Sequence, residues 1–413
     1  MTRVILGDIA ISQTGPFGSQ LHEEDYVSEG TPIVTVEHLG DTNFTHQNLP
    51  FVSEADMKRL SKYILIEGDI VFSRVGSIDR NVYVDKNHEG WMFSGRCIRV
   101  RADKNKVNPR YLSYYFKQNS FKKMMMNLAV GATMPSLNTK IMNSIELDLL
   151  PRENQDKIAN ILSAIDDKIQ NNNQINQELE AMAKTLYDYW FVQFDFPDQD
   201  GKPYKSSGGK MVYNPELKRE IPEGWEVSKL NEVVDLISGY PFSSNDYVTS
   251  GKYKLYTIKN VQDGYTVDKV DNYLDFLPSN MSHECQLRRG DLIMSLTGNV
   301  GRVGMVYEDN VLLNQRVLKL NPINKTHKSF IYSFFRSDVT KAHLENMSTG
   351  TSQKNLSPID IGNMMITFPS EDLLSIFLDY LNILESNLVE NQQLTQLRDW
   401  LLPMLMNGQV KVE

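Results

Sequence analysis

Cysteine is scarce in this chain of 413 residues, which contains only Cys97 and Cys285. Two cysteines exclude both a secreted disulfide framework and a zinc site with four cysteine ligands. The chain also lacks an apolar run of the roughly twenty residues needed to span a membrane. The apolar run at the N-terminus is broken by Asp8, unlike the core of a signal peptide. We therefore expect a cytoplasmic protein.

The common catalytic signatures are missing from the sequence as well. There is no GxxxxGK[ST] phosphate loop, no [ND]PP[YF] motif of adenine methyltransferases and no HExxH or HxxxH pair. Asp198, Asp200 and Lys202 resemble a nuclease PD…DxK pattern, but they are compressed into one turn of a linker. We assign no catalytic residue, no metal ligand and no bound cofactor, and the pattern favours a binding protein.

Five sequence features occur twice, in the same order. The first copy contains FGSQLHEEDYVSEG, EGDIVFS, RYLSYYF, VGATMPSLN and LLP, and the second contains FSSNDYVTSG, RGDLIMS, SFIYSFF, TGTSQKNLS and TFP. The offsets between the copies are 225, 222, 219 and 218 residues, from Phe17/Phe242, Gly68/Gly290, Gly131/Gly350 and Pro151/Pro369. A repeat of this length is a whole domain. Two similar domains in one chain suit a ligand with two similar halves.

The formal net charge of −9 is unevenly distributed. Residues 1–150 contain 17 basic and 17 acidic side chains, and residues 226–369 contain 15 of each. The acidity lies in residues 151–200, with 4 basic and 10 acidic side chains, and in residues 370–413, with 2 and 7. Each neutral domain has a basic cluster, from Arg96 to Lys123 and from Arg316 to Lys341. Matched clusters favour contact with a phosphate backbone over a solvated surface of chance composition.

The two acidic segments have helical periodicity. Apolar residues recur every three or four positions in each, with polar centres at NNNQ (171–174) and ENQQ (390–393). This spacing predicts two long helices that pack against each other along a seam, although each helix alternatively folds onto its own domain. The predicted seam consists of Ile158, Leu162, Ile165, Ile169 and Leu179 in the first helix and Leu374, Phe377, Leu381, Leu384 and Leu388 in the second.

The rest of each repeat is strand-rich, with a late helix that has an aromatic face. Runs such as PIVTVEHL and KLYTIKNV have strand composition, and Tyr111, Tyr114 and Tyr115 lie on one helical face, which indicates core packing. The predicted fold class is α+β. The predicted domains are residues 1–151 and 226–369, with long helices at 152–193 and 370–408 and a Gly/Pro/Ser-rich connector at 194–225.

This organisation resembles the specificity subunit of Type I restriction–modification enzymes. The resemblance covers essentially the whole chain and rests on the domain–helix–domain–helix order, SGYPF, EGDI/RGDL, GATMPSLN/GTSQKNLS, IPEGWE and the C-terminal LRDWLLPMLMNGQVKV. It implies two target-recognition domains related by a pseudo-two-fold axis and separated by an antiparallel pair of long helices. It also implies that each domain reads one half of a bipartite double-stranded DNA site.

The resemblance implies partners and a cofactor for the complex. The helices would bind two modification subunits, which use S-adenosylmethionine to methylate adenine, and restriction subunits of motor–nuclease type would join through that complex. Half-sites about one helical turn, ~34–36 Å, apart suit such a subunit. Divergence between the copies, such as Arg74 against Leu296, predicts an asymmetric site.

Side chains with paired donors and acceptors on loops are the candidates for base reading, and the basic clusters are the candidates for phosphate contact. In the first domain the candidates are Ser19, Gln20, Arg74, Ser77, Arg80, Arg96, Arg99, Arg101, Lys104, Thr133, Ser136 and Asn138. In the second they are Ser243, Ser244, Asn245, Thr297, Asn299, Arg302, Gln315, Arg316, Lys319, Thr351, Ser352, Gln353, Lys354 and Asn355. Two alternatives remain open: a nuclease with an unrecognised site, and a protein scaffold that does not bind DNA.

Overall fold

The computed structural model describes residues 1–129, 136–350, 354–369 and 371–410, without the side chains of Ser19 and of residues 375–378. The chain forms two compact units. The first comprises Met1–Ile169 and Gln393–Glu413, and the second comprises Gln170–Gln392. Each unit therefore contains one strand-rich domain together with parts of both long helices. This division differs from the predicted repeat of a domain followed by its own helix.

The first domain is built on an antiparallel four-stranded sheet. Its strands, in spatial order, are Ala10–Thr14, Cys97–Ala102, Asp69–Ser73 and Asn81–Tyr83. A second sheet contains Tyr26–Val27, Phe51–Val52, Thr31–Val34 and Met92–Phe93, and Thr2–Ile5 pairs with Glu146–Leu149. The helices are Leu6–Ile9, Glu54–Arg59, Pro109–Lys117, Asn119–Leu128 and Thr139–Asn143. The aromatic face of Pro109–Lys117 is buried, as predicted, through Tyr111 and Tyr114.

The second domain repeats this arrangement, which confirms the α+β fold class. Its main sheet contains Val234–Ser238, Val317–Pro322, Leu292–Ser295, Val303–Met305 and Gly264–Tyr265. A second sheet contains Tyr273–Leu274, Tyr253–Tyr256, Val311–Leu313 and Gln286–Leu287, and Glu226–Lys229 pairs with Met365–Phe368. The helices Lys328–Arg336, Asp338–Met347 and Pro358–Gly362 follow in the same order as those of the first domain.

Two 36-residue helices connect these parts: the central helix, Arg152–Tyr187, and the C-terminal helix, Glu371–Met406. They run antiparallel. In the first unit Arg398 contacts Asp166, and in the second unit Asn172 contacts Asn391 while Asn176 contacts Asn387. The residue numbers of the contacting residues decrease along the C-terminal helix as they increase along the central helix.

The predicted seam is only partly correct. Ile158 and Leu162 are buried in the first unit's core, and Leu374, Leu381 and Leu384 are buried in the second unit's core. Ile165, Ile169, Leu179 and Leu388 are half-buried, and the side chain of Phe377 lies outside the described residues.

At the centre of the helix pair, the two helices are joined by hydrogen bonds between asparagine side chains rather than by apolar contacts. Asn172 Nδ2 donates to Asn391 Oδ1 at 3.0 Å, and Asn387 Nδ2 donates to Asn176 Oδ1 at 2.8 Å. Asn172 and Asn176 are buried, whereas Ile175 is exposed. A buried amide layer of this kind is satisfied in one register of the two helices only, because a shift would leave its donors unpaired.

The predicted connector, residues 194–225, is a packed element of the second unit. The ring of Phe196 stacks on Tyr204, with centroids 4.6 Å apart, and on Trp225, at 5.2 Å. The hairpin Met211–Asn214 with Arg219–Pro222 completes the segment. Its Gly and Pro content suggested an open linker, but its aromatic residues form a small core. These residues do not recur at helical or strand spacing, so the sequence pattern does not reveal the core.

The EGDI and RGDL motifs have the same structural role in both domains. Asp69 Oδ2 accepts the backbone N–H of Ile66 at 2.9 Å, and the carboxylate binds Arg101 at 2.7 Å. Asp291 Oδ2 accepts the backbone N–H of Arg288 at 2.8 Å and lies 2.9 Å from Lys319 Nζ. Each aspartate closes the turn before a central strand and neutralises a basic residue of the neighbouring strand.

We expect Asp69→Asn to lower the free energy of unfolding by about 2 kcal/mol, because it leaves the partly buried Arg101 without its counter-charge. Urea denaturation of the full chain measures the loss. Asp103→Asn is the control, since the Asp103–Lys106 pair is exposed and should contribute less than about 0.5 kcal/mol. Equal losses in the two variants would contradict this role for Asp69.

Candidate nucleic-acid interface

Four loops of the first domain converge beside the end of the main sheet. Arg74 N–H donates to the carbonyl of Arg96 at 2.8 Å, and Leu137 N–H donates to the carbonyl of Arg74 at 2.9 Å. A Cβ atom on Gly95 would lie 2.5 Å from the carbonyl oxygen of Pro16, so that only glycine permits this approach. The first loop cluster, as we name it, comprises residues 15–20, 74–80, 94–96 and 136–138.

The second domain contains the same hydrogen-bonded arrangement. Leu296 N–H donates to the carbonyl of Arg316 at 3.0 Å, and Leu356 N–H donates to the carbonyl of Leu296 at 2.9 Å. A Cβ atom on Gly239 would lie 2.0 Å from the carbonyl oxygen of Asn314. The second loop cluster comprises residues 239–245, 296–302, 314–316 and 354–357. The backbone that supports the two clusters is thus duplicated bond for bond.

The duplicated hydrogen bonds identify equivalent side chains. Arg96 and Arg316 occupy the same place, and both are exposed. Arg80 and Arg302 are also equivalent, because their carbonyls accept N–H groups from Ser73 and Ser295 at 3.0 Å. Within the described ranges, the guanidinium groups of Arg80, Arg96 and Arg316 make no intramolecular hydrogen bond or ion pair, whereas Arg302 donates to Gln262 Oε1 at 3.0 Å. Matched arginines with available donors suit contact with base edges or phosphates.

Most other predicted loop residues lie in the two clusters. Ser77, Ser243, Ser244, Asn245, Asn299 and Gln315 are exposed, Ser136 and Lys354 are half-buried, and Thr297 is buried. Asn138 accepts the backbone N–H of Ile141 at 2.9 Å and caps a helix, although it is itself exposed. Asn355 is exposed and bridges to Thr297 and Thr349 through its backbone, and Lys354 pairs with Glu345.

Two predicted readers have their polar groups bound within the protein. Gln20 Oε1 accepts the hydroxyl of Tyr63 at 2.7 Å. Arg74 donates to the carbonyls of Gly95, at 3.1 Å, and Leu137, at 3.4 Å. Thr133, Thr351, Ser352, Gln353 and the side chain of Ser19 lie outside the described residues.

The strand residues of the basic clusters have partners within the protein, in contrast to the exposed basic surface that the sequence predicted. Arg99 is buried and donates to the carbonyls of Lys62 and Ile64 at 3.3 Å. Burial lowers the pKa of its guanidinium from the ordinary value. Arg101 and Lys319 are held by the aspartates of the turn motifs. Strand pairing, which is not visible in the sequence, places these partners beside them.

Three helical members of the clusters also have partners within the protein, whereas Lys123 is exposed. Arg110 lies against the rings of Tyr83 and Tyr114, Lys328 pairs with Glu385 at 3.1 Å, and Arg336 pairs with Glu180 at 2.6 Å. Lys104 is exposed and remains a candidate for phosphate contact. The basic surface is therefore narrower than the sequence suggests and centres on the loop clusters.

Phe17 is a cluster residue that the sequence analysis did not select. Its side chain is 59% exposed at the surface of the first loop cluster. The signal that could have identified it is the GPFG sequence, in which a large apolar residue lies between turn-forming residues.

The described part of the chain contains no group of three or more His, Cys, Asp or Glu side chains arranged to hold a metal ion. The Asp198 carboxylate accepts the backbone N–H groups of Asp200 and Lys202, at 2.9 and 2.8 Å, and so shapes a turn. No helix within the described ranges has the length and apolarity that crossing a membrane would require.

The chain is similar to proteins of known family. Residues 2–181 and 222–397 match the family model described as "Type I restriction modification DNA specificity domain". The chain is 27% identical over 401 residues to the Type I restriction enzyme MjaIX specificity subunit of Methanocaldococcus jannaschii, covering 94% of this chain and 89% of that protein. It is 25% identical over 440 residues to the HindI specificity subunit of Haemophilus influenzae, covering 92% and 95%.

A solved structure has a similar fold. The crystal structure of the Type I restriction–modification S subunit from M. genitalium superposes with a TM-score of 0.56 at 16% identity, covering all of this chain and 96% of that one. At this identity the likeness concerns the fold. It agrees with the two strand-rich domains and the long helices described above.

The contrast between neighbouring arginines can be tested. We expect Arg99→Ala to lower the free energy of unfolding by about 2 kcal/mol, because the change removes a buried side chain and takes a donor from the Lys62 carbonyl and from Gln13 Oε1. Arg96→Ala is the matched control and should change stability by less than about 0.5 kcal/mol, because Arg96 is exposed. Urea denaturation of both variants measures the difference, and comparable losses would contradict the assignment of Arg99 to the core.

Proposed function

Because this chain belongs to the Type I restriction–modification DNA specificity family, we propose that it recognises an asymmetric bipartite site in double-stranded DNA. The first loop cluster reads one half-site and the second loop cluster reads the other. The observation that carries the proposal is the duplicated hydrogen-bonded framework, which presents Arg96 and Arg316 at equivalent exposed positions. Arginine is the side chain that most often reads guanine in the major groove.

The proposed reaction takes place on partner subunits. Two modification subunits, which carry S-adenosylmethionine, methylate adenine at the site that this chain selects, and restriction subunits join through the same complex. The role of this chain is to place the complex on its sequence. Neither a nuclease with its own site nor a scaffold that does not bind DNA would account for the matched arginines.

The half-sites are expected to differ because the two clusters share a backbone but not their side chains. Arg74 in the first cluster corresponds to Leu296 in the second, which is buried. Around the matched arginines, the first cluster exposes Phe17 and Ser77, whereas the second exposes Asn299 and Gln315. Different donors, acceptors and apolar groups on one framework read different bases.

The long helices provide the proposed surface for the modification subunits. Large apolar side chains are exposed on them: in the second unit Met182 (61%) and Ile383, and in the first unit Trp400 (58%) and Leu397. Exposed apolar side chains on otherwise acidic helices are typical of a protein-binding face. Tryptophan is the residue type that most often dominates such an interface.

Substitution of the matched arginines tests the DNA-reading role. The chain is co-produced with its modification partner, and adenine methylation is mapped across the host genome. We expect a bipartite motif. Arg96→Ala should weaken selection in one half only and Arg316→Ala in the other, by about 5- to 150-fold at the base concerned. Arg3→Ala, an exposed arginine outside the loop clusters, is the control. A motif without two halves, or loss in the same half from both variants, would contradict the proposal.

A second experiment tests the partner surface. Trp400→Ala and Met182→Ala should each weaken association with the modification subunit, with the tryptophan change costing about 30-fold or more in affinity. The measurement is binding of the purified full chain to the purified modification subunit. Ile359→Ala, an equally exposed apolar residue on a domain helix, is the control. Unchanged binding in both helix variants would place the partner surface elsewhere.

A further inference from the structure

Phe17 is exposed in a segment that the second domain lacks. Leu21 and Phe242 are equivalent, because each precedes the N-cap of a 3-10 helix followed by Tyr–Val, and both are buried. Counted from the close approaches at Gly15 and Gly239, the segment before Leu21 is three residues longer than the segment before Phe242. Phe17 lies in this longer segment and is 59% exposed. Exposure of an aromatic ring forgoes burial energy.

The ring is held in place by groups that the second domain lacks. The guanidinium carbon of Arg74 lies 5.8 Å from the centroid of the Phe17 ring. Arg74 is itself fixed by its hydrogen bonds to Gly95 and Leu137. Its counterpart, Leu296, is a buried apolar residue. In the first domain an arginine predicted to read bases instead supports an aromatic side chain.

The backbone beneath the ring has little freedom. A Cβ atom on Gly95 would lie 2.8 Å from Phe17 Cβ and 2.5 Å from the carbonyl oxygen of Pro16. Gly18, which follows, has a positive φ of 60°, a conformation that favours glycine. The close approach of Gly95 and the turn at Gly18 fix where the side chain leaves the surface, beside the exposed Arg96.

We propose that Phe17 is a specificity-determining residue of the first domain that reads a thymine through apolar contact with its C5-methyl group. The inference rests on the proposed function, because the positive charges of the neighbouring Arg80 and Arg96 favour DNA as the ligand of this surface. The thymine methyl is the one apolar group that base edges display in the major groove. An exposed ring that lies against the Arg74 guanidinium suits that contact.

The test uses the full chain with its modification partner and duplexes containing the mapped site. Each thymine of the half-site affected by Arg96→Ala is replaced, one at a time, by uracil, which lacks the methyl group. The wild-type complex should bind one uracil duplex about four-fold more weakly, the effect of one buried methyl group. Phe17→Ala should bind thymine and uracil duplexes equally at that position, while Phe17→Leu should retain discrimination.

Controls separate this inference from its premise. Met126→Ala, an exposed apolar residue of the same domain, should retain discrimination between thymine and uracil. Thermal unfolding of Phe17→Ala should match the wild type, because the ring is exposed. If the wild-type complex binds no bipartite site, the proposed function fails.

Three results would overturn the Phe17 inference alone. The first is that Phe17→Ala discriminates between thymine and uracil as well as the wild type does at every thymine. The second is that the half-site contains no thymine. The third is a rise in 2-aminopurine fluorescence that occurs on binding of the wild type but not of Phe17→Ala, since this would show insertion of the ring between bases instead.

Discussion

Neither strand-rich domain completes its core without both long helices, and the rest of the structure depends on this constraint. The first unit's core includes Ile158 and Leu162 from the start of the central helix and Leu405 and Met406 from the end of the C-terminal helix. The second unit's core includes Tyr187 from the end of the central helix and Leu374 and Leu381 from the start of the C-terminal helix. A duplicated chain that was two independent domains would need no such exchange. Because each half of the chain supplies part of the other unit's core, the repeats are bound into one protein.

Equivalent positions near the ends of the two long helices carry opposite charges, in Glu180 and Arg398. Glu180 and Arg398 are separated by the 218-residue offset of the late repeat, as are Tyr114 and Tyr332. In the first unit Asp166 accepts hydrogen bonds from the Tyr114 hydroxyl at 2.5 Å and from Arg398 at 2.9 Å. In the second unit Glu180 accepts them from the Tyr332 hydroxyl at 2.9 Å and from Arg336 at 2.6 Å. Exchange of the two helix ends would place Glu180 beside Asp166, and Arg398 beside Arg336. The repeats have therefore diverged to become complementary, and each helix end fits only one domain.

The sequence was sufficient to predict the duplication, the fold class and the two long helices, because these follow from recurring motifs and apolar periodicity, whereas the antiparallel arrangement of the helices was implied by the family resemblance. The loops around Arg96 and Arg316, which were selected from the sequence, converge with other candidate loops in each domain, and their contact with DNA stays a prediction. The sequence could not predict which basic residues are available for DNA. Arg99 and Arg96 are three positions apart, yet Arg99 is held by carbonyls of residues 62 and 64 and Arg96 by none. Nor could it predict that Asn172 and Asn176 are buried while the apolar Ile175 is exposed, or that residues 194–225 form a packed core.

In the duplicated loop clusters, the groups that hold the loops in place differ from the groups proposed to recognise DNA. Support comes from backbone hydrogen bonds, which constrain no side chain, so that Arg74 and Leu296 occupy one position with the same N–H and carbonyl partners. Close approaches at Gly15, Gly95 and Gly239 are exceptions, since a Cβ atom there would lie within 2.5 Å of a neighbouring carbonyl oxygen. Substitution at the non-glycine positions of the loops therefore changes the groups displayed while the backbone hydrogen bonds remain. A framework of this kind can acquire a new half-site in one domain while the other domain, the helix anchors and the partner surface remain as they are.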